Sequence, residues 1–379
     1  MRISARALNR ATLGRQLLLR REELGVADAV RRVVALQGQQ PASPYLALWN
    51  RLTDLDPADL DAAFAGYTVV KTPLMRMTLH VVHADDYPAF REAIEPTLHA
   101  THLNGRFTPA GLTLEDAGAL VLDLLEFADR PRTAGELEAW LDPRLGTLSK
   151  PAVWRMLRGY APLLRVPTGG PWSFTPRLSY IAARTRPALN RDTSAGSLQV
   201  LVQRYLAGFG PASVADIAQF ALVQQARVKD ALCALSGAVE QLVGPDGKTL
   251  FDVPGAPRPA EDTSAPPRLM AMWDSTLLAY ADRSRVIPPN YRKLVIRSNG
   301  DVLATLLADG YVAGVWHRVD DGIEATAFHP LPDETWDELA AEAEALLALL
   351  ADREPQVYRR YDRWWADLPA AEVRMLPGR

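Results

Sequence analysis

Cysteine is nearly absent from this chain of 379 residues: Cys233 stands alone, which excludes an intramolecular disulfide and a cysteine-built zinc site. Lysine is scarce too, at positions 71, 150, 229, 248 and 293 only, so arginine carries almost all the basic charge. No apolar run approaches the roughly 20 residues that a membrane-spanning helix needs. The richest one, Leu346-Leu347-Ala348-Leu349-Leu350-Ala351, is flanked closely by acids. The N-terminus spreads its arginines along a helical pattern without the apolar centre of a signal peptide, so a cytoplasmic location is expected. Neither a phosphate-cradling loop of the nucleoside-triphosphatase kind nor a Gly-x-Ser-x-Gly elbow is present.

What remains is an ordinary soluble composition, 48% hydrophobic and 23% charged, long enough for two or three domains or several small modules. A net charge of −3 argues against a strongly basic tail but not against a local basic surface. Residues 1–40 hold Arg2, Arg6, Arg10, Arg15, Arg20, Arg21, Arg31 and Arg32 against Glu22, Glu23 and Asp28, and the segment 333–352 supplies much of the compensating acid.

One stretch organises the rest. Val33-Val34-Ala35-Leu36-Gln37-Gly38-Gln39-Gln40-Pro41 ends an apolar helix, expected over Ala27–Leu36, in a cluster of uncharged amides. Gly38 suits the left-handed residue that closes a helix, and Pro41 biases Gln40 towards extended backbone. Beyond a helix that stops near Gln37, alternate residues share one side of the chain, so Gln37 and Gln39 can aim at one point. Convergent amides can orient a water or read a base edge, but they cannot act as general bases near neutral pH. The alternative is that Gln37 satisfies local backbone groups at a helix end and Gln39 is loop surface.

Arginine-rich helices are expected over 4–13 and 15–24, and further helices after Pro41 and from Ala58 to Ala65. In Arg76-Met77-Thr78-Leu79-His80-Val81-Val82 polar and apolar residues alternate as in a half-buried strand. Helices followed by a hairpin make a winged-helix pattern, and it recurs over 132–180 and 212–255. Thr133-Ala134-Gly135-Glu136-Leu137 matches Ser213-Val214-Ala215-Asp216-Ile217 in type, each with a hydroxyl cap followed three later by an acid. Second helices from Pro151 to Tyr160 and Gln225 to Leu235 precede glycine-containing turns at 168–170 and 244–247. Strand candidates at 294–296, 302–307, 311–317 and 323–329, with tight turns at Asp309-Gly310 and Asp321-Gly322, form a β-meander before an acidic helix. The tail Tyr358-Arg359-Arg360-Tyr361-Asp362-Arg363-Trp364-Trp365 can contact nucleic acid or dock back on the protein.

The fold class expected is therefore α+β. Three tandem winged-helix units occupy 1–125 (with the N-terminal helices), 126–195 and 196–256, and a β-rich region with the acidic helix and tail occupies 257–379. Winged helices commonly place a helix in the major groove, and Arg155, Arg158, Arg227 and Lys229 are candidate phosphate contacts, against the alternative that the units bind protein. His80-Val81-Val82-His83 is a poor metal motif, because strand residues three apart face opposite ways and no cysteine assists. No metal or organic cofactor is expected, and His80 reads as a polar partner near the glutamines.

Taken together, Gln37-Gly38-Gln39 after an apolar helix, Leu74-Met75-Arg76-Met77-Thr78-Leu79-His80, the repeated units, Trp273-Asp274 and Ala281-Asp282-Arg283-Ser284-Arg285 resemble the AlkZ-type winged-helix DNA glycosylases over about residues 4–330. No single motif is specific; their order and spacing are. The resemblance implies a C-shaped channel around duplex DNA, excision of alkylated purines including N7-guanine adducts and interstrand crosslinks, and a catalytic Gln-x-Gln element matched by Gln37 and Gln39. One branch of that family has Asp at the second position, where this chain has Gln39. The function expected is a monofunctional glycosylase acting as a monomer on double-stranded DNA that carries alkylated purines, with Arg76, Thr78, His80, Arg283 and Arg285 as further DNA-site candidates. The rival reading is a non-catalytic winged-helix regulator or drug-binding protein.

Overall fold

Hydroxyl caps start the repeated helices where the sequence places them. Thr133 accepts from the Glu136 amide while the Glu136 side chain accepts from the Thr133 amide, and Ser213 and Asp216 do the same. Each reciprocal pair satisfies helix-end donors that otherwise lack partners. The helices that follow are Ala134–Leu145 and Val214–Ala221, then Lys150–Tyr160 and Gln225–Ala234. Antiparallel strands complete each set, Leu163–Arg165 with Ser179–Ala182 and Glu240–Val243 with Thr249–Asp252. These facts come from a computed structural model, which describes residues 1–378 except 105–111, 147, 149, 189, 191, 192, 321 and 367.

The N-terminal part has the same order of pieces. Helices Ser43–Trp49 and Pro57–Ala65 lead into a small antiparallel sheet of Leu36–Gln37 (β1), Val69–Pro73 (β2) and Leu79–His83 (β3), with β3 central. Leu36 pairs with Val81, and Gln37 with His80. A second sheet of five antiparallel strands occupies the C-terminal region, in the order Glu372–Leu376, Gly322–Ala327, Tyr311–Val319, Thr305–Ala308 and Arg268–Leu269. Helix Asp333–Ala351 buries Trp336, Leu339, Ala343, Leu346 and Leu350, the spacing of one helical stripe.

Two large apolar cores result. One joins Leu46, Leu48 and Trp49 to Trp316 and Trp336, so the N-terminal helices share their interior with the C-terminal sheet. The other joins Val70 and Val82 to Leu124, Leu157 and Tyr205. The N-terminal sheet lies between them: Leu36 and Val81 face the first core, Ala35 and Val82 the second. Alternation along a strand explains this, and a sheet packed on both faces has little freedom to shift.

Several expected elements differ. The helix before the glutamines ends at Arg32, not Leu36, because Val34 takes a positive φ of 75° and turns Val33-Val34-Ala35-Leu36 into extended chain. Gly38 is not among the positive-φ residues; it pairs through its N–H with the Leu79 carbonyl at 2.7 Å. Residues 15–24 do not form a second helix, since the chain leaves helix Ala5–Arg15 and Leu17 stands at φ 57°. Arg76 belongs to a 3-10 turn rather than to a strand, which begins only at Leu79. The segment 294–296 ends a helical turn, Arg292–Val295, and Ile296 bridges Val302. Asp309-Gly310 does turn between strands, whereas Asp321 lies outside the described residues. The tail docks back: Tyr358 is buried against Ser43, and Glu372–Leu376 becomes an edge strand.

Buried ion pairs bind distant segments. Arg51 reaches both Asp274 oxygens at 2.9 and 3.0 Å and Thr276 Oγ1 at 3.0 Å. Arg15 grips Asp252 in the same two-pronged way, at 2.6 and 2.9 Å. The Trp273-Asp274 motif thus ties the N-terminal helices to the C-terminal region. Arg51→Ala strands a buried carboxylate and is expected to lower unfolding free energy by about 3–5 kcal/mol, measured by urea denaturation. Arg51→Met with Asp274→Leu should recover most of that loss, because the uncompensated charge is gone.

Candidate active site

Extended backbone at β1 brings Gln37 to the middle of a polar cluster. Its Oε1 accepts from Arg76 Nη2 at 2.8 Å and its Nε2 donates to Thr78 Oγ1 at 3.0 Å, so the amide has one orientation. Arg76 Nη2 also lies 3.2 Å from His80 Nε2, and His80 Nδ1 lies 2.9 Å from the Thr78 carbonyl. The second nitrogen should carry the proton, leaving Nε2 to accept from Arg76. Two residues on, exposed Gln39 folds its Oε1 onto the Leu79 N–H at 2.9 Å. Gly38 between them permits close approach: an added Cβ would stand 3.3 Å from Lys71 Cε and 3.4 Å from Val81 Cγ2.

Arg76, Thr78 and His80 reach Gln37 by a route that strand alternation did not anticipate. Arg76 and Met77 both adopt left-handed backbone, φ 54° and 56°, which for non-glycine residues costs about 1–3 kcal/mol each. The Leu74 N–H to Thr78 carbonyl bond and the guanidinium contacts hold this turn. Strain of this kind concentrates where a side chain must be aimed.

Charge in the cluster is settled by enclosure. Burial, with the Arg76 charge behind it, pushes His80 down to about 3, so its ring is neutral at physiological pH. Burial, then repulsion from Arg283, lowers Arg76 to about 10, which leaves it a cation at neutral pH. Neither is a neutral-pH proton acceptor beside the glutamines.

A cleft of about 380 Å³ opens beside Gln39, lined by Gln40, Leu79, Phe174 and the basic residues Lys71, Arg165, Arg177 and Arg360, with no carboxylate among the described residues of its wall. A neighbouring hollow of about 290 Å³ shares Gln40, Pro41, Phe174 and Arg360 and adds Arg359. The 166–178 connection forms the far wall because its aromatic residues are anchored: Trp172 packs 5.0 Å from Tyr45 and Phe174 edge-on 4.9 Å from Phe64. Burial and then Arg165 lower the Lys71 ammonium to about 7.

The remaining sequence candidates separate. Arg283 lies near enough to Arg76 to repel it, and Arg158 near enough to Arg165. Arg155 and Lys229 are exposed on their helices, outside the amide cluster. Arg227 is half-buried and donates to the Ala93 carbonyl and Ser194 Oγ. Arg285 donates to the Pro211 carbonyl at 2.8 Å and stacks 4.2 Å over Tyr280, so both guanidiniums are bonded within the protein. Sequence reasoning passed over Lys71, Arg165 and Arg177, and met Arg360 only as part of a tail that can contact nucleic acid. The one available signal was a lysine set inside the apolar run Val69-Val70-Lys71-Thr72. Among the described residues no group of three or more His, Cys, Asp and Glu is placed to share a metal ion, and no helix is long and apolar enough to cross a membrane.

His80 also makes stability depend on pH. The unfolded ring takes a proton near 6.5 while the folded one resists until about 3, so its contribution is complete above 6.5 and is lost as pH falls towards 3. The loss is about 1.4 kcal/mol per pH unit within that window. Urea unfolding at pH 7.5 and 5.5 should show a smaller acid penalty for His80→Gln than for the unaltered protein; identical penalties would remove His80 from the account.

Comparison with known proteins places this geometry in a family. The family model described as "DNA glycosylase AlkZ-like" matches residues 30–349. An interstrand DNA cross-link repair glycosylase of Streptomyces sahachiroi is 26% identical over 359 residues, spanning 88% of this chain and 92% of that protein. The solved structure of the Streptomyces sahachiroi DNA glycosylase AlkZ superposes with a TM-score of 0.78 at 18% identity, over 94% of this chain and 99% of that one. The chain belongs to the AlkZ-like DNA glycosylase family.

Proposed function

We propose that this protein is a DNA glycosylase that hydrolyses the N-glycosidic bond of N7-alkylated purines, including those joined in interstrand crosslinks. The observation that carries the reading is a pair of fixed amides on either side of Gly38: Gln37, buried and held by Arg76 and Thr78, and Gln39, held by the Leu79 N–H on the wall of a cleft whose described charged lining residues are all basic. Each amide spends part of its hydrogen-bonding capacity on the protein. One lone pair of Gln39 Oε1 and one hydrogen of Gln37 Nε2 remain, enough to hold a single water by one acceptor and one donor. A purine alkylated at N7 is positively charged and leaves readily, so the enzyme's task is to deliver that water to C1′ rather than to deprotonate it strongly. Positioning and local polarity of this sort can contribute several kcal/mol, roughly 7–11 in the best-oriented cases. Water, not a protein group, is the nucleophile of base release.

Arg165, Arg177 and Arg360 fit phosphates along the cleft, since they line it with no carboxylate among the described lining residues. Arg155, Arg158 and Lys229 extend the basic surface across the second and third helix-helix-hairpin units, which we take as winged helices arranged with the first around duplex DNA in a C-shape. The units follow 1–125, 126–195 and 196–256, with 257–379 buttressing them, and one chain suffices for the cleft. The relative from Streptomyces sahachiroi, named for crosslink repair, supports crosslinks as part of the substrate range. Family membership disfavours a non-catalytic regulator.

Release of free 7-methylguanine from methylated duplex DNA in single turnover tests the assignment. Gln37→Ala and Gln39→Ala should each slow release by about 10²-fold, with DNA affinity retained in a filter-binding assay. Rates equal to the unaltered protein in both variants would remove the roles given to the pair.

A further inference from the structure

Docking of the C-terminal tail does not consume its arginines. Tyr358, Tyr361 and Trp365 are buried, while Arg359, Arg360 and Arg363 stay exposed. The segment Arg359–Trp364 is a 3-10 helix, in which residues three apart lie one above the other. Three rows follow: Tyr361 with Trp364, Arg359 with Asp362, and Arg360 with Arg363. The first row holds the protein. Tyr361 Oη accepts from Gln40 Nε2 at 2.5 Å, its ring packs 5.4 Å from Trp273, and Trp364 Nε1 donates to Asp301 Oδ2 at 2.9 Å. The second row sets a cation beside an acid. The third has two cations, about 6 Å apart along the axis.

Arg360 lines the cleft with Gln39 and Arg177. Arg363 lies over the Trp364 ring at 4.7 Å from its centre, and Arg297 lies over the same ring at 4.8 Å. Arg360, Arg363 and Arg297 therefore make a strip that starts at the cleft and runs across the tail onto the turn at 297–301. That turn is fixed by the Arg297 N–H bond to the Asp301 carbonyl at 2.8 Å and by Trp273 Nε1, which donates to the Gly300 carbonyl at 3.0 Å. Among the described residues none of the three guanidiniums forms an ion pair with a carboxylate. Asp301 is taken up by Trp364 and Asn299. Arg353, just before the tail, is by contrast spent on Asp61 and the Pro171 carbonyl. A ring with two guanidiniums over it is not free to stack on a base, so the strip offers charge and planar N–H donors, the means of gripping phosphate.

We propose that Arg360, Arg363 and Arg297 form a phosphate-binding strip that holds the sugar-phosphate backbone of duplex DNA outside the cleft, so that the C-terminal region is a DNA-contacting wall and not a buttress alone. The inference deepens the glycosylase reading and rests on it only for duplex DNA as the partner. The two tail arginines lie beyond residue 349, where the match to the family model ends. Contacts of this kind carry no sequence information; they strengthen binding to every duplex alike and make it salt-dependent.

The test uses the full chain and an undamaged duplex oligonucleotide, with affinity read by fluorescence anisotropy between 50 and 200 mM potassium chloride, the range over which phosphate contacts show most clearly. Arg297→Gln and Arg363→Gln should each weaken binding by a similar factor on unrelated sequences and each reduce the slope of log K against log salt by about 0.9, and by about 1.8 together. Arg20→Gln, at an exposed arginine paired with Glu22, is the control for charge alone and should leave the slope unchanged. In the unaltered protein, saturating duplex should shield Arg297, Arg360 and Arg363 from an arginine-specific dicarbonyl reagent, read by peptide mass mapping. Unchanged slopes in both strip variants, an equal fall in the control, or modification of the three arginines that duplex does not slow would each overturn the strip. No base release is measured, so the two readings fail separately: a protein that releases no 7-methylguanine can still show the strip, and one that releases it with unchanged slopes refutes the strip alone.

Discussion

A two-residue strand, Leu36–Gln37, paired with the edge of Leu79–His83 is the constraint from which the site follows. The Gly38 N–H continues the ladder to the Leu79 carbonyl, and the Gln39 side chain takes the Leu79 N–H where a backbone carbonyl would otherwise bond. The two amides are therefore held by sheet geometry rather than by a flexible loop. Both faces of that sheet are occupied by core, Leu36 and Val81 on one side and Ala35 and Val82 on the other. Displacing Gln37 would disturb both. The left-handed pair Arg76 and Met77 is tolerated on this rigid base because the turn delivers a guanidinium to Gln37 and His80.

Charge is sorted by place more than by amount. The chain is slightly acidic, net −3, yet among the described residues the cleft wall beside Gln39 has four basic side chains and no carboxylate. Asp252 and Asp274 are sealed into two-pronged arginine pairs, and Glu342 on the acidic helix bonds Arg21 and Arg268. Arginines that look alike in sequence thus divide into those that hold the fold and those that face solvent. The first group includes Arg15 and Arg51 of the basic N-terminal region, with Arg227 and Arg285; the second includes Arg177, Arg359 and Arg360.

What the sequence disclosed was local. The cap pairs Thr133/Glu136 and Ser213/Asp216 announce their helices because both partners lie within one turn. Extended backbone at Gln37 was expected and is found, although the helix ends sooner, at Arg32, and Gly38 is required for closeness to Lys71 rather than for a left-handed cap. Alternation in 76–82 suggested a strand, and the tertiary reward of aiming Arg76 at Gln37 overrode it for the first three residues. The cleft itself was not legible. Lys71, Arg165, Arg177 and Arg360 come from three separated segments, and only the docking of Trp172, Phe174 and Tyr361 brings them to one wall.

The central claim is that these two amides meet a sugar at the wall of a basic cleft. It is tested most directly by a crystal structure with duplex DNA carrying a pyrrolidine in place of one deoxyribose, its protonated nitrogen standing for the positive sugar of the transition state. The account predicts the pyrrolidine beside Gln37 and Gln39, one ordered water bonded to both amides and directed at the nitrogen's position, and phosphates against Arg165, Arg177 and Arg360. A pyrrolidine bound on another face, or amides turned away from it with no shared water, would contradict the account.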